Sequence, residues 1–159
     1  LVGSEMCIET GLDLWQGRWQ ALEEEYGSLE QAEKVYGSLD QEAILKPLKE
    51  QLDLAERLSV PYVVFHVCDV KTRELYTYQF QHTDEEVAEA AAELINPLLD
   101  GKDYKFEFLM ENLWWPGLTM TRPEITRLLL SGVHCPRAGI MLDTGHLMQT
   151  NLDLADQEE

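Results

Sequence analysis

The sequence predicts an α/β fold in which helices cover a parallel sheet, and three observations carry that prediction. Short apolar runs alternate with segments of helical periodicity. The runs are almost continuously apolar instead of alternating, as strands covered on both faces are. Successive runs are separated by enough chain for one helix and its loops, with 45 residues from His66 to Glu111 and 32 from Glu111 to Asp143. That spacing suits a parallel crossover.

Each element has its own signal. Residues 5–8 form a short first strand. Residues 11–39 form short helices broken at Gly27 and Gly37. Over residues 40–58, Ala43, Ile44, Leu48, Leu52, Leu54, Ala55 and Leu58 recur at helical spacing, with Pro47 placed to kink the helix. Pro61 punctuates before a buried strand at 62–67, and the polar, aromatic stretch 72–82 is a loop or small hairpin. Thr83 caps a helix over 84–99 whose first turn is acidic, where the helix dipole favours negative charge. A second buried strand spans 106–113. Thr121-Arg-Pro-Glu124 has capping-box spacing, and Ile125, Leu128 and Leu129 continue it as a helix to Gly132. Residues 139–143 are a third buried strand, and the acidic tail after Asn151 begins one more helix. No low-complexity linker divides the 159 residues, so they are expected to form a single domain.

Composition narrows the function. Thirty acidic against 12 basic residues give a formal net charge of −18. The basic residues are scattered, which disfavours a nucleic-acid partner and points to a small molecule. No run is long and apolar enough to cross a membrane. Cys7, Cys68 and Cys135 are few, odd in number and widely spaced, as expected of reduced thiols in a cytoplasmic protein.

Strand parity singles out a constellation. Successive strand residues point to opposite faces. Val63, Phe65 and Val67 therefore oppose Val64 and His66; Phe106, Phe108 and Met110 oppose Leu109 and Glu111; Ile140 and Leu142 oppose Met141 and Asp143. Each strand has one apolar face for helices and an opposite face ending, toward its C-terminus, in an ionisable group. Enzymes of this architecture place their chemistry at that end. His66, Glu111, Asp143 and His146 are nitrogen and oxygen ligands suited to Zn, Mn, Fe or Mg. Two carboxylates placed together call for a cation. Gly145 supplies the backbone freedom that lets Asp143 and His146 face one ion. Cys68 shares the His66 face one step further out, where a soft ligand role is the alternative to packing. His82 and His134 lie outside the parity pattern and are read as structural.

His66 in Val-Val-Phe-His-Val, Glu111-Asn112 after an apolar strand, and Leu-Asp143-Thr-Gly-His146 resemble the xylose isomerase-like barrel superfamily, over roughly residues 40–150. That superfamily includes sugar isomerases and epimerases as well as apurinic-site (AP) endonucleases of the endonuclease IV type. The resemblance implies a (β/α) TIM-type barrel, incomplete here, with about four of eight strands. It implies metal held at Glu111 and Asp143, with Glu111 also moving protons. His146 matches a metal ligand or a substrate contact, and His66 matches a nuclease ligand. Asn112, Trp114 and Trp115 are expected at the rim of a sugar pocket. The functions implied are a metal-dependent sugar or sugar-phosphate isomerase or epimerase, a zinc-dependent AP endonuclease, or a non-catalytic barrel relative. Only 13 residues follow His146, too few for the later strands that carry a further His ligand and a catalytic carboxylate. The expectation is therefore a portion of a longer chain, with a homo-oligomer that covers the open sheet edges as the alternative.

Overall fold

The computed structural model describes residues 5–7, by backbone alone, and residues 11–151. The elements follow in the order β1 (Glu5–Cys7), α1 (Leu12–Trp15), α2 (Trp19–Tyr26), α3 (Leu29–Tyr36), α4 (Glu42–Arg57), β2 (Tyr62–His66), α5 (Glu74–Thr77), α6 (Asp84–Leu99), β3 (Glu107–Glu111), α7 (Pro123–Gly132), β4 (Ala138–Met141) and α8 (Thr144–Gln149). The strands form one parallel sheet in the order β1-β2-β3-β4. Sequential neighbours in a parallel sheet with helical crossovers are the repeating unit of a (β/α) barrel, here four of its strands. The expected helix after Asn151 falls outside the described residues, as does Ile8. Among the described residues no helix is long and apolar enough to cross a membrane.

The helices begin and end where local chemistry directs. Gly27 and Gly37 close α2 and α3 in the left-handed conformation. The polar stretch 72–82 is a loop holding the single turn α5, not a hairpin. Helix α6 opens with a full capping box: Thr83 Oγ1 accepts from the Glu86 N–H at 3.2 Å, and Glu86 Oε2 accepts from the Thr83 N–H at 2.9 Å. The capping box expected at Thr121 does not form. Pro123, whose fixed φ suits the first helical position, starts α7, so the cap falls on Arg122, without a side-chain bond. Thr121 Oγ1 pairs instead with Thr119 Oγ1 at 2.8 Å.

The parity expected of the first two buried strands is realised; in the third, Ile140 follows it, but β4 ends at Met141 and Leu142, expected on the helix-facing side, is exposed. Val63, Phe65, Val67, Phe106, Phe108 and Met110 pack into one core with Leu48 and Leu52 of α4, Ala91, Leu94, Ile95 and Leu98 of α6, and Ile125 and Leu129 of α7, and Ile140 of β4 lies against it. Burying this many aliphatic and aromatic side chains, at roughly 1.5–3 kcal/mol each, is what holds helices to sheet. Val64, Leu109 and Met141 are outside that core and face the other side.

The loop after β3 is tied back onto the end of β2. The Leu118 N–H donates to Val67 O at 2.9 Å, and the Asp69 N–H donates to Pro116 O at 3.1 Å. Gly117 makes this possible: at φ 129° a Cβ would stand 2.4 Å from Val67 O. The strap sets the C-terminal ends of β2 and β3 level.

Candidate metal centre

Register and parity together build the site. His66 pairs with Glu111 across β2 and β3, and Glu111 with Met141 across β3 and β4, so the last residues of β2 and β3 project side by side onto the face away from the helical core. The third imidazole-or-acid position is filled from beyond β4, by His146 in the first turns of α8.

Three side chains converge. His66 Nε2 is 2.9 Å from Glu111 Oε2, His146 Nδ1 is 4.0 Å from Glu111 Oε1, and the two imidazole rings are 5.9 Å apart. One ligand atom from each of His66, Glu111 and His146 lies within 4.8 Å of the others, a grouping able to hold a metal ion. His66 and Glu111 are both buried, and among the described residues no Lys or Arg pairs with Glu111.

The tautomer of His146 follows from its partner. Nδ1 lies 2.8 Å from the carbonyl oxygen of Asn112, which can only accept, so Nδ1 carries the proton and Nε2 keeps the lone pair a metal needs. Two imidazoles and one carboxylate form a donor set that a divalent transition ion fits.

Asp143 sits two residues past the end of β4 and is the N-cap of α8. Its Oδ1 accepts from the His146 N–H at 2.8 Å, while Oδ2 is 4.0 Å from His146 Nδ1. Asp143 is thus outside the three-residue grouping but touches one member of it. The backbone hydrogen bond from the His146 N–H holds the Asp143 carboxyl below its ordinary range. Gly145, expected to supply backbone freedom to the turn, has no positive φ. It is helical, and the missing Cβ leaves room for Asp143 Oδ1, which would lie 3.1 Å from it.

Asn112, expected at the rim, is completely buried. Its side chain extends the sheet where strand pairing has ended: Nδ2 donates to Asp143 O at 3.0 Å, and Oδ1 accepts from the Asp143 N–H at 2.8 Å. With its own carbonyl on His146, Asn112 positions both residues. Trp114 and Trp115 are half-buried beside the site; the Trp114 ring is 5.2 Å from His146 and 5.2 Å from Trp115. Cys68 is buried and its backbone bridges to Gly117, outside the grouping. His134 is exposed, its backbone N–H bound by Asn96.

A second buried polar cluster went unread in the sequence except for His82. His82 Nδ1 is 2.7 Å from Asp69 Oδ2, and Nε2 is 3.3 Å from Asp13 Oδ1. Lys71 Nζ reaches Asp13 Oδ2 at 2.5 Å and donates to Gln81 Oε1 at 2.7 Å. Burial alone would lower the His82 pKa, but the two carboxylates outweigh it and raise it to about 9. Burial would likewise raise Asp13, and its contacts with His82 and Lys71 overcome that and lower it. The detectable signals were Asp69 and Lys71 just past a strand end and His82 immediately before a helix cap.

A family model described as xylose isomerase-like TIM barrel matches residues 36–159. A search of curated proteins finds no match.

Proposed function

The chain belongs to the xylose isomerase-like TIM barrel family, and from that membership we propose that it carries the metal centre of a sugar or sugar-phosphate isomerase or epimerase. The observation that supports this reading most is the convergence of His66, Glu111 and His146 at the C-terminal ends of the strands, with His146 held in the tautomer that leaves Nε2 available.

In this reading the three residues hold a divalent ion, with Asp143 joining through the oxygen not used for capping. When bound, the ion would supply a Lewis acid for the carbonyl and hydroxyl oxygens of the sugar. Glu111 would hold the ion through Oε2, the oxygen beside His66, and with Oε1 would take the proton from the carbon beside the sugar carbonyl and return it to the former carbonyl carbon. Trp114 offers an apolar face to the C–H side of the sugar, next to His146. Asn112 keeps the His146 ring and the Asp143 backbone in place.

The test is solvent exchange. Metal-loaded protein incubated with a panel of ketoses and aldoses in deuterated water is expected to place deuterium on the carbon beside the carbonyl. Glu111→Gln should slow that exchange by about a hundredfold or more. A protein that binds metal but exchanges no sugar of the panel would defeat the proposal. A Tm unmoved by chelator would instead mark a non-catalytic relative.

A second reading has one observation in its favour. His66 joins the grouping, and a nitrogen-rich set suits the zinc of an apurinic-site nuclease. The net charge of −18 weighs against a duplex substrate, as does the pairing of Arg122 with Asp84, Glu85 and Glu124. Incision of an abasic duplex by the zinc-loaded protein would favour it.

A further inference from the structure

Beside the metal centre an aromatic series runs outward without a break. It passes from His146 to Trp114 at 5.2 Å, from Trp114 to Trp115 at 5.2 Å, and from Trp115 to Tyr78 and Phe80 at 5.8 and 6.1 Å. The last two rings are on the loop between β2 and α6 and remain open to solvent, Tyr78 at 47% and Phe80 at 36%. Aromatic rings are costly to leave exposed, and a contiguous exposed group adjoining a polar site marks a ligand surface more often than a packing accident.

The loop that carries Tyr78 and Phe80 is fixed at its base. Glu74 brackets it, accepting from the Lys71 N–H with one oxygen and from the Gln81 N–H with the other, both at 2.8 Å. Lys71 then ties Asp13 to Gln81, and His82 ties Asp13 to Asp69. A loop bound this tightly at both ends holds its tip rings in a set position without packing them away. Phe80 also lines a cleft of about 330 Å³ whose other walls include Glu24, Glu25, Lys71, Arg73 and Gln79. An aromatic face bordered by amides, carboxylates and cationic donors is complementary to a sugar ring, which has an apolar C–H face and an edge of hydroxyl donors and acceptors.

We propose that Tyr78, Phe80 and Trp115 form a second sugar-ring subsite, so that the substrate of the neighbouring metal centre is a reducing disaccharide, with the ring that carries the free carbonyl at Trp114 and the next on Tyr78 and Phe80. This rests on the sugar-isomerase reading of the centre and extends it to substrate class.

Calorimetric titration of the metal-loaded protein with matched probes tests it: glucose against cellobiose and maltose, and xylose against xylobiose. At least one disaccharide is expected to bind about tenfold tighter than its monosaccharide. Phe80→Ala and Tyr78→Ala should each remove most of that advantage and leave the monosaccharide Kd within about twofold, while Phe80→Trp retains it. Equal binding within every pair, with metal-dependent monosaccharide binding intact, overturns the subsite and leaves the centre standing. A fall in Tm for Phe80→Ala with no change in affinity also overturns it, because the ring is then packing. No sugar binding in any pair, with or without metal, removes the subsite together with the reading on which it rests.

Discussion

Two histidine–carboxylate clusters lie at the same end of the sheet, built from the same residue types and suited to opposite tasks. In the first, Asp13, Asp69, His82 and Lys71 set two carboxylates against two cations, so the charges cancel within the cluster. In the second, Glu111 stands between two imidazoles with no Lys or Arg beside it among the described residues. The first is balanced in charge without a ligand, although Asp13 Oδ1 is left with an ion-pair contact and no hydrogen bond, and it works as a lock between α1, the loop after β2 and the start of α6. The second brings donor atoms from three side chains together and, on the proposed reading, would gain most when a cation enters. Charge balance, more than residue identity, separates a structural histidine cluster from a ligand-binding one.

The sharpest way to break that distinction is to remove one carboxylate from each. Asp13→Ala leaves His82 and Lys71 buried with a single shared acid and is expected to cost about 3–5 kcal/mol of stability. Glu111→Gln keeps an acceptor for His66 and removes a buried charge that has no full cation to balance it. Without metal it should shift stability by no more than about 1 kcal/mol. It should also abolish metal-induced stabilisation, which for the wild type at a hundredfold excess over Kd is about 2.7 kcal/mol. Urea denaturation of both variants, with and without Zn²⁺, measures this. Equal losses in metal-free buffer would erase the difference between the clusters.

The lock should also show itself in pH dependence. His82 titrates at about 9 in the folded protein against an ordinary 6.5, so the folded state binds its proton more tightly. That stabilisation is complete below about pH 6.5 and is lost as the pH rises to about 9, a decline on the order of 3 kcal/mol. Asp13, lowered in the folded state, acts at the other end: its contribution holds above its ordinary value of 3.8 and falls away in acid. Denaturation midpoints between pH 6 and 10 should slope downward in the wild type and flatten in His82→Gln. An unchanged slope in that variant would show that the lock does not set the alkaline limit.

The two clusters differ in how far the sequence reveals them. His66 and Glu111 were legible because they end apolar strands on one parity, and a period of two forces both onto the same face whatever the rest of the chain does. The lock joins residues from a one-turn helix, a βα loop and a pre-helical residue, and no period links positions 13, 69, 71 and 82. Asn112 shows an intermediate case. Its place beside Glu111 was visible, but its burial depends on where β4 stops, and strand ends are poorly marked in sequence. The proline at 123 was likewise visible, yet it moved the start of α7 past the Thr121 signal.

Asp143 is the residue on which the comparison can be sharpened most finely, because it has a part in both kinds of work. Its Oδ1 caps α8 through the His146 N–H, and its other oxygen lies 4.0 Å from the His146 ring. Asn is as good a helix cap as Asp, so Asp143→Asn should preserve α8 and change metal-free stability by less than about 0.5 kcal/mol. Asp143→Ala should cost about 1 kcal/mol, the usual value of a lost N-cap. If Asp143 binds the ion, metal affinity measured by competition with a chelator falls with both variants. If it acts through the cap alone, affinity falls only with Ala, because only Ala releases the turn that carries His146.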